Sequence, residues 1–268
     1  MPRAVRLLVA ALIMTVLFSA DRQAPSYSAA SIVNAASNQA GSFAPNTFVT
    51  IYGSNLAFTT RSLSDSDIHG NSLPTILPGT GVTISINHIP AQILYVSPTQ
   101  INVLIPSNTY PGPAPLLVTL DNLNGPVVLI DIQPSAPALF QVDLATPIAV
   151  HADGKLISPA SPAKAGEIIV LYATGLGGTV PQAPYGEIPQ TAALLKNITA
   201  FKVLLNGNPL DPARIYYAGV APGFAGLYQV NLALPDDIEP NPEIRIQTAE
   251  ISSKAGLLLP TIQPATSQ

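Results

Sequence analysis

Side chains able to do acid–base, nucleophilic or metal chemistry are few in this sequence and far apart. There are three histidines and no cysteine, so disulfides and thiolate chemistry are excluded. His69, His88 and His151 sit in separate segments, none with a second histidine or a cysteine two or four residues away, which removes the zinc pattern. The stretch "DSDIHG" (65–70) opens like a calcium loop with Asp65, Asp67 and Gly70, but Ile76 stands where the closing bidentate Glu belongs. A looser calcium site on the two aspartates is one reading of it, a solvated polar loop the other. "GLGG" (175–178) runs into "TVPQAPYG", which offers no helix N-terminus to a phosphate. In "HADGK", His151 and Asp153 read as a turn about Gly154 rather than a dyad, and no Gly-x-Ser-x-Gly elbow occurs. The sequence therefore nominates no catalytic residue, no cofactor and no metal, and reads as a non-enzyme.

Two features remain as candidate interaction sites. Gln100 and Asn102, followed by Pro106, recur as Gln229 and Asn231, followed by Pro235, at the same spacing. On a strand each pair lies on one face, with Ile101 and Val103 on the other. Such amides either present a recognition surface or bond nearby loop backbone and fix hairpin corners. The second candidate is "AGVAPGFAGLY" (218–228), longer than its counterpart "VSPT" (96–99), with Phe224 and Tyr228 set among glycines. It is either a binding loop or aromatic material folded into the seam between two halves or over one domain's end.

The elements that must position these residues are written twice. "FVTIYGSNLA" (48–57) returns as "IIVLYATGLG" (168–177), pairing Tyr52 with Tyr172. "VTISINHIPAQILYVSPTQINVLIP" (82–106) returns as 201–235, and 114–134 returns as 241–264, each closing on Ile-Gln-Pro. Period-2 alternation of β-branched and aromatic residues, broken by Gly, Asn and Pro, reads as short strands. Asn87-His88 and Asn206-Gly207 fall where two-residue hairpin turns are expected. Each half carries about seven such strands, the spacing of a Greek-key sandwich. "TAALLKN" (191–197) is the one stretch that reads as a helical turn or two. The expected division is a leader over 1–30, sandwiches over 31–135 and 136–264, and a tail over 265–268. Leu139 and Phe140 in the joining segment 135–147 predict packing and a fixed angle between the halves.

With 47% apolar and 10% charged residues, the chain is globular with a sparsely charged surface. Arg3 and Arg6 ahead of the apolar run Leu7–Phe18 give the signature of a secretory signal peptide, too short to span a membrane comfortably. Cleavage fits after Ala20 or after Ala30. No cysteine follows the run, so a lipoprotein anchor is excluded. The formal net charge of −4 becomes more negative once the leader's arginines are removed, which argues against nucleic acid and anionic lipid as partners. Sheet edges with so few charges favour weak self-association.

"APNTFVTIYGSNLA" followed by "ILYVSPTQINVLIP" resembles the immunoglobulin-like IPT/TIG domain. The entry "IVNAASNQAGSFAPNTFVTIYGSNLA", with "LYATGLGG" and "YAGVAPGFAGLYQVNLALP", resembles a bacterial family of duplicated units, the Solibacter-type C-terminal domain, over about 32–262. The resemblance implies an all-β chain of two tandem immunoglobulin-like β-sandwiches, in a secreted or cell-surface protein. It carries no assigned chemistry and usually ends a longer chain; in this sequence the duplicated unit follows the leader directly. Three functions are compatible: an exported structural or adhesion module contacting protein or cell envelope, an extracellular polysaccharide-binding protein lacking the usual Trp platform, and an enzyme with a dispersed site. Fold alone does not choose among them.

Overall fold

The computed structural model describes residues 22–262. The candidate leader through Asp21 and the tail after Ile262 lie outside them. The described chain is all-β: short strands joined by turns and single 3-10 turns, stacked as two sandwiches in tandem. In the first, one sheet runs in the order Ile32–Asn34, Phe48–Tyr52, Gln100–Leu104, Gln92–Val96, Arg61–Ser62. The facing sheet runs Val128–Ile132, Gly112–Leu120, Val82–Ile86, Ile89–Pro90. The second sandwich repeats both. Ala138–Leu139, Ile168–Thr174, Tyr228–Ala233, Ile215–Val220 and Ala193–Leu195 form one sheet, and Asn208–Pro209, Phe201–Leu205, Ile244–Thr248 and Ile251–Ser252 the other. Corresponding strands occupy corresponding places except at one edge, where Val128–Ile132 pairs with Gly112–Leu120 but its counterpart Thr261–Ile262 pairs with Ala163–Lys164; the internal repeat is otherwise a repeat of topology.

Alternation sets which side chains face inward. In Val82–Ile86 the odd members Val82, Ile84 and Ile86 are buried while Thr83 and Ser85 are only partly covered. Each half gathers its own core, one around Ile51, Ile93, Ile101 and Leu116, the other around Leu171, Val230, Leu232 and Ile246. Each such fully buried aliphatic side chain contributes about 1.5–3 kcal/mol. The hairpin turns are those that the sequence indicates. Asn87 and His88 have φ of 51° and 63°, and Asn206 and Gly207 have 49° and 80°, the paired positive values of a type I′ turn. The helical reading of 191–197 is corrected: Ala193–Leu195 is a strand, burying Ala193 and Leu195 and exposing Leu194, a period of two that its short length hid.

The chain ahead of residue 31 is part of the first sandwich. Tyr27 is 8% exposed and belongs to its core, its hydroxyl donating to Pro126 O at 2.6 Å and accepting from Val118 N at 2.8 Å. Two glycines make room for the segment: a Cβ on Gly53 would come within 2.3 Å of Ser26 O, and one on Gly125 within 2.7 Å of the Tyr27 ring. We therefore expect Tyr27→Ala to cost about 3 kcal/mol, and Tyr27→Phe about 1–2 kcal/mol through the two lost hydrogen bonds. Urea midpoints of the two variants check this. A chain beginning at Ser31 should be destabilised at least as much as Tyr27→Ala, and a midpoint equal to that of the full mature chain would refute the packing role.

Candidate functional site

The halves meet at a dry seam. The first sandwich supplies Leu104 and half-buried Phe48 and Leu94 from the outer face of its sheet, with Leu73 and Ile68 from the long 56–80 connection; the second supplies Ala225 and Ile188. Backbone pairs lock it. Leu73 N donates to Gly186 O at 2.7 Å, Ile188 N donates to Asn71 O at 2.8 Å, and Tyr185 Oη donates to Pro90 O at 2.5 Å. The Thr174 hydroxyl accepts from Phe48 N at 3.3 Å and donates to Gly226 O at 2.9 Å. Phe48 meets Phe140 edge to face, ring centroids 6.3 Å apart. In the joining segment, Leu139 is buried and Ala138–Leu139 pairs with Ile168–Thr174, which ties the segment to the second sandwich.

The long loop serves this seam in an unexpected way. Its strand Ile215–Val220 ends and Tyr228–Ala233 begins so close together that only 221–227 is loop. Ala225 and Gly226 enter the seam, and a Cβ on Gly226 would come within 2.4 Å of Leu104. Phe224 instead points outward, 61% exposed. Tyr228 is not a loop residue: it opens the inward series Tyr228, Val230, Leu232, is 1% exposed, and donates its hydroxyl to Gly177 O at 2.6 Å. Burial pushes this phenol up to about 12. Beside it lies a cleft of about 400 Å³ bordered by Asn46, Gly177 and Lys196.

The amide pairs take the same arrangement in both halves. Gln100, Asn102, Gln229 and Asn231 are half-buried on outer sheet faces. Gln100 Nε2 donates to Asn102 Oδ1 at 2.9 Å, and Gln229 Nε2 donates to Asn231 Oδ1 at 2.7 Å. Asn102 Oδ1 also accepts from Thr50 Oγ1 at 3.1 Å. The amides thus bond each other along their strand; corners are fixed elsewhere, for example by Ser97 Oγ accepting from Gln100 N at 2.9 Å.

One constellation escaped sequence reading. His151 Nδ1 lies 2.5 Å from Glu167 Oε1, and its Nε2 lies 3.1 Å from both the carbonyl O and the Oγ of Ser161. They line an open concavity of about 800 Å³. The order looks like a nucleophile, a base and an orienting carboxylate, but the hydrogen bonds serve another purpose. The Glu167 hydrogen bond is the leading cause that raises the His151 pKa, and the Ser161 carbonyl competes with the Ser161 hydroxyl for the other ring nitrogen. Once protonated, this imidazole cannot accept the serine proton. Ser161 N is committed to Ser158 O at 2.9 Å and residue 162 is proline, so neither N–H beside the hydroxyl is free to build an oxyanion hole. The group clamps the Ser158–Ser161 turn to the start of strand Ile168–Thr174. Asp67 is likewise engaged: it accepts from Arg61 Nη2 at 2.6 Å and from Ser64 N at 3.0 Å, which makes the solvated-loop and the calcium readings both unsuitable for it. Bonds from Ser64 and then Arg61 hold its carboxyl below the usual range. Among the described residues no group of three His, Cys, Asp or Glu side chains could hold a metal ion, and no helix is long and apolar enough to cross a membrane.

The first half has a counterpart among family models. Residues 31–142 match the IPT/TIG domain model. No curated protein matches the sequence. Among solved structures, the chain resembles Bacteroides ovatus SGBP-B of a mixed-linkage glucan utilization locus, solved with a mixed-linkage heptasaccharide (12% identity, TM-score 0.33, covering 92% of this chain and 47% of that one). It also resembles SGBP-B from a xyloglucan utilization locus in Bacteroides uniformis (9%, 0.26, 90% and 50%) and the extracellular region of plexin A4 (12%, 0.27, 90% and 16%). The chain thus spans half or less of each of these proteins. The IPT/TIG match ends near the joining segment, so the matched topology of the second half is a structural observation in its own right.

The His151 clamp predicts a pH dependence with a definite sign. A folded pKa above the unfolded 6.5 means the clamp stabilises fully below about pH 6.5. That stability is lost as pH rises through the raised folded value. Melting temperatures of the wild type should fall between pH 6 and 9 relative to His151→Gln, whose profile should be flatter. Parallel profiles would show that the imidazole stays neutral.

Proposed function

We propose that this chain is an exported, non-catalytic contact module whose two immunoglobulin-like halves act as one rigid unit toward a partner in the cell envelope. The observation that supports it best is the seam. An apolar cluster, four backbone or hydroxyl links and an interlocked glycine loop fix one outer sheet face against the other half, which suits load-bearing and contact better than domain motion. The extension of the IPT/TIG assignment to 136–264 belongs to this proposal, as does the duplicated Solibacter-type unit that the motifs resemble; the repeated sheet order supports both. Export rests on the arginine-led apolar run, and the Tyr27 packing favours a mature chain that starts before residue 22 over one cut after Ala30. Phe224, held outward on the seam loop, is the apolar side chain of that loop able to touch a partner.

The test is retention of the mature chain on envelope fractions of the source cell, beside a seam variant. Gly226→Val drives a branched side chain into Leu104 and Phe48 at a position of φ 74°. It should raise the radius of gyration in small-angle scattering, split one unfolding transition into two, and reduce retention. Phe224→Ala should reduce retention with unfolding unchanged. A wild type that no envelope fraction retains would sink the proposal.

A further inference from the structure

The outer faces of the two main sheets carry the same quartet of side chains. Opposite Gln100 stands Tyr52, and opposite Asn102 stands Tyr95; opposite Gln229 stands Tyr172, and opposite Asn231 stands Tyr217. Directly opposed residues of antiparallel strands share a face, so each half shows an amide pair between two tyrosines. Tyr52 is 40% exposed and the other three are half-buried. Tyr217 is held down on its sheet, its hydroxyl donating to Val220 O at 2.6 Å across Gly219, where any Cβ would come within 2.8 Å of the Tyr217 hydroxyl oxygen.

Within each pair the Gln Nε2 is spent on the Asn Oδ1. That bond fixes both amide planes and leaves the Asn Nδ2 group and the Gln Oε1 atom as an outward donor and acceptor side by side. The six strands that build these faces, Phe48–Tyr52, Gln92–Val96, Gln100–Leu104, Ile168–Thr174, Ile215–Val220 and Tyr228–Ala233, contain no charged residue. The faces also run toward one another. Asn102 is two residues from seam residue Leu104, and Tyr172 two from Thr174, so each quartet begins about 7 Å from the seam along its strand.

We propose that each quartet is a contact site for a neutral oligosaccharide and that the two sites lie along one extended chain crossing the seam, a proposal that rests on the contact-module reading. A fixed donor beside a fixed acceptor matches the vicinal hydroxyls of a sugar, which donate and accept at similar spacing. Tyrosine rings flanking them supply apolar surface for the sugar's C–H face with a polar rim. The absence of charge on these strands removes the arginines and lysines that an acidic polymer would require. It also removes the arginine anchors and charged pairs that many protein partners use.

The experiment is affinity electrophoresis of the mature chain in gels containing barley mixed-linkage glucan, xyloglucan, galactomannan or soluble starch, with polygalacturonate as the acidic comparison. Asn102→Asp and Asn231→Asp are the variants. Each keeps the oxygen that Gln bonds and the side-chain shape, but removes the outward donor and adds a charge. The wild type should be retarded in at least one neutral gel. Each single variant should weaken that retardation and the double variant should lose roughly tenfold or more in affinity, the loss of a buried hydrogen bond or two, with melting temperatures kept. Retardation only by polygalacturonate, or in full strength by the double variant, would overturn the proposal. So would a wild type that no neutral gel retards. In that last case, protease-sensitive retention on envelope fractions would leave the contact-module reading standing with a protein partner, and no retention anywhere would end both.

Discussion

A hydroxyl group holds the two halves in register. Thr174 stands at the end of its strand, accepting from the amide of Phe48 and donating to the carbonyl of Gly226. Both partners are backbone groups at a buried seam, where leaving either one unsatisfied costs about 1–3 kcal/mol. Around that bridge the apolar residues Leu104, Leu73 and Ala225 exclude water, and exclusion of water is what gives the bridge its strength. The rest follows from this constraint. The loop 221–227 must carry glycine at 226, the strand Phe48–Tyr52 must start at the seam, and the connection 56–80 must lie across it to deliver Leu73.

The same constraint divides the sheets by chemistry. Charged strand residues such as Asp131, Lys202 and Arg245 stand on the sheets that face away from the seam, in Val128–Ile132, Phe201–Leu205 and Ile244–Thr248. The seam-side sheets place only uncharged residues on their central strands. Near the seam a charge would have to be desolvated or paired. Amides meet the same need for polarity without that cost, since each pair satisfies half of its groups internally and turns the other half outward.

Much of this was legible in the sequence. The repeated strand, the Asn-His and Asn-Gly turns and the common face of Gln100 and Asn102 all depend on local rules, alternation and positive φ, that a linear text records. The residues that escaped share a different property. Tyr27 looked like leader because its neighbours are small and polar, and only Gly53 and Gly125, far along the chain, make its pocket. Tyr228 reads as loop because the glycines before it mask the start of an inward alternation through Val230 and Leu232. Ser161, His151 and Glu167 meet because a turn, a strand end and a strand start converge, and no spacing rule links three such positions. The seam itself is a contact between segments with no common period.

The docking is head to tail, and that raises a question of closure. A surface on one half receives a different surface of the next, and repeated units joined in this way can add further copies without end unless something stops them. The second half lacks the receiving surface. Aligned by Tyr52 with Tyr172 and Gln100 with Gln229, the positions of Phe48 and Leu104 become Ile168 and Ala233. Ala233 is too small to fill the place of Leu104, and Ile168 offers no ring in place of Phe48. The first half, in turn, has "VSPT" (96–99) where the second has its inserted loop, so it cannot plug into another copy either. The two halves therefore diverged at the positions that would propagate the contact while keeping the Tyr–Gln–Asn–Tyr face that takes no part in it. Selection on docking alone has no reason to hold that face constant in both halves, and this asymmetry is the strongest structural argument that the face is used.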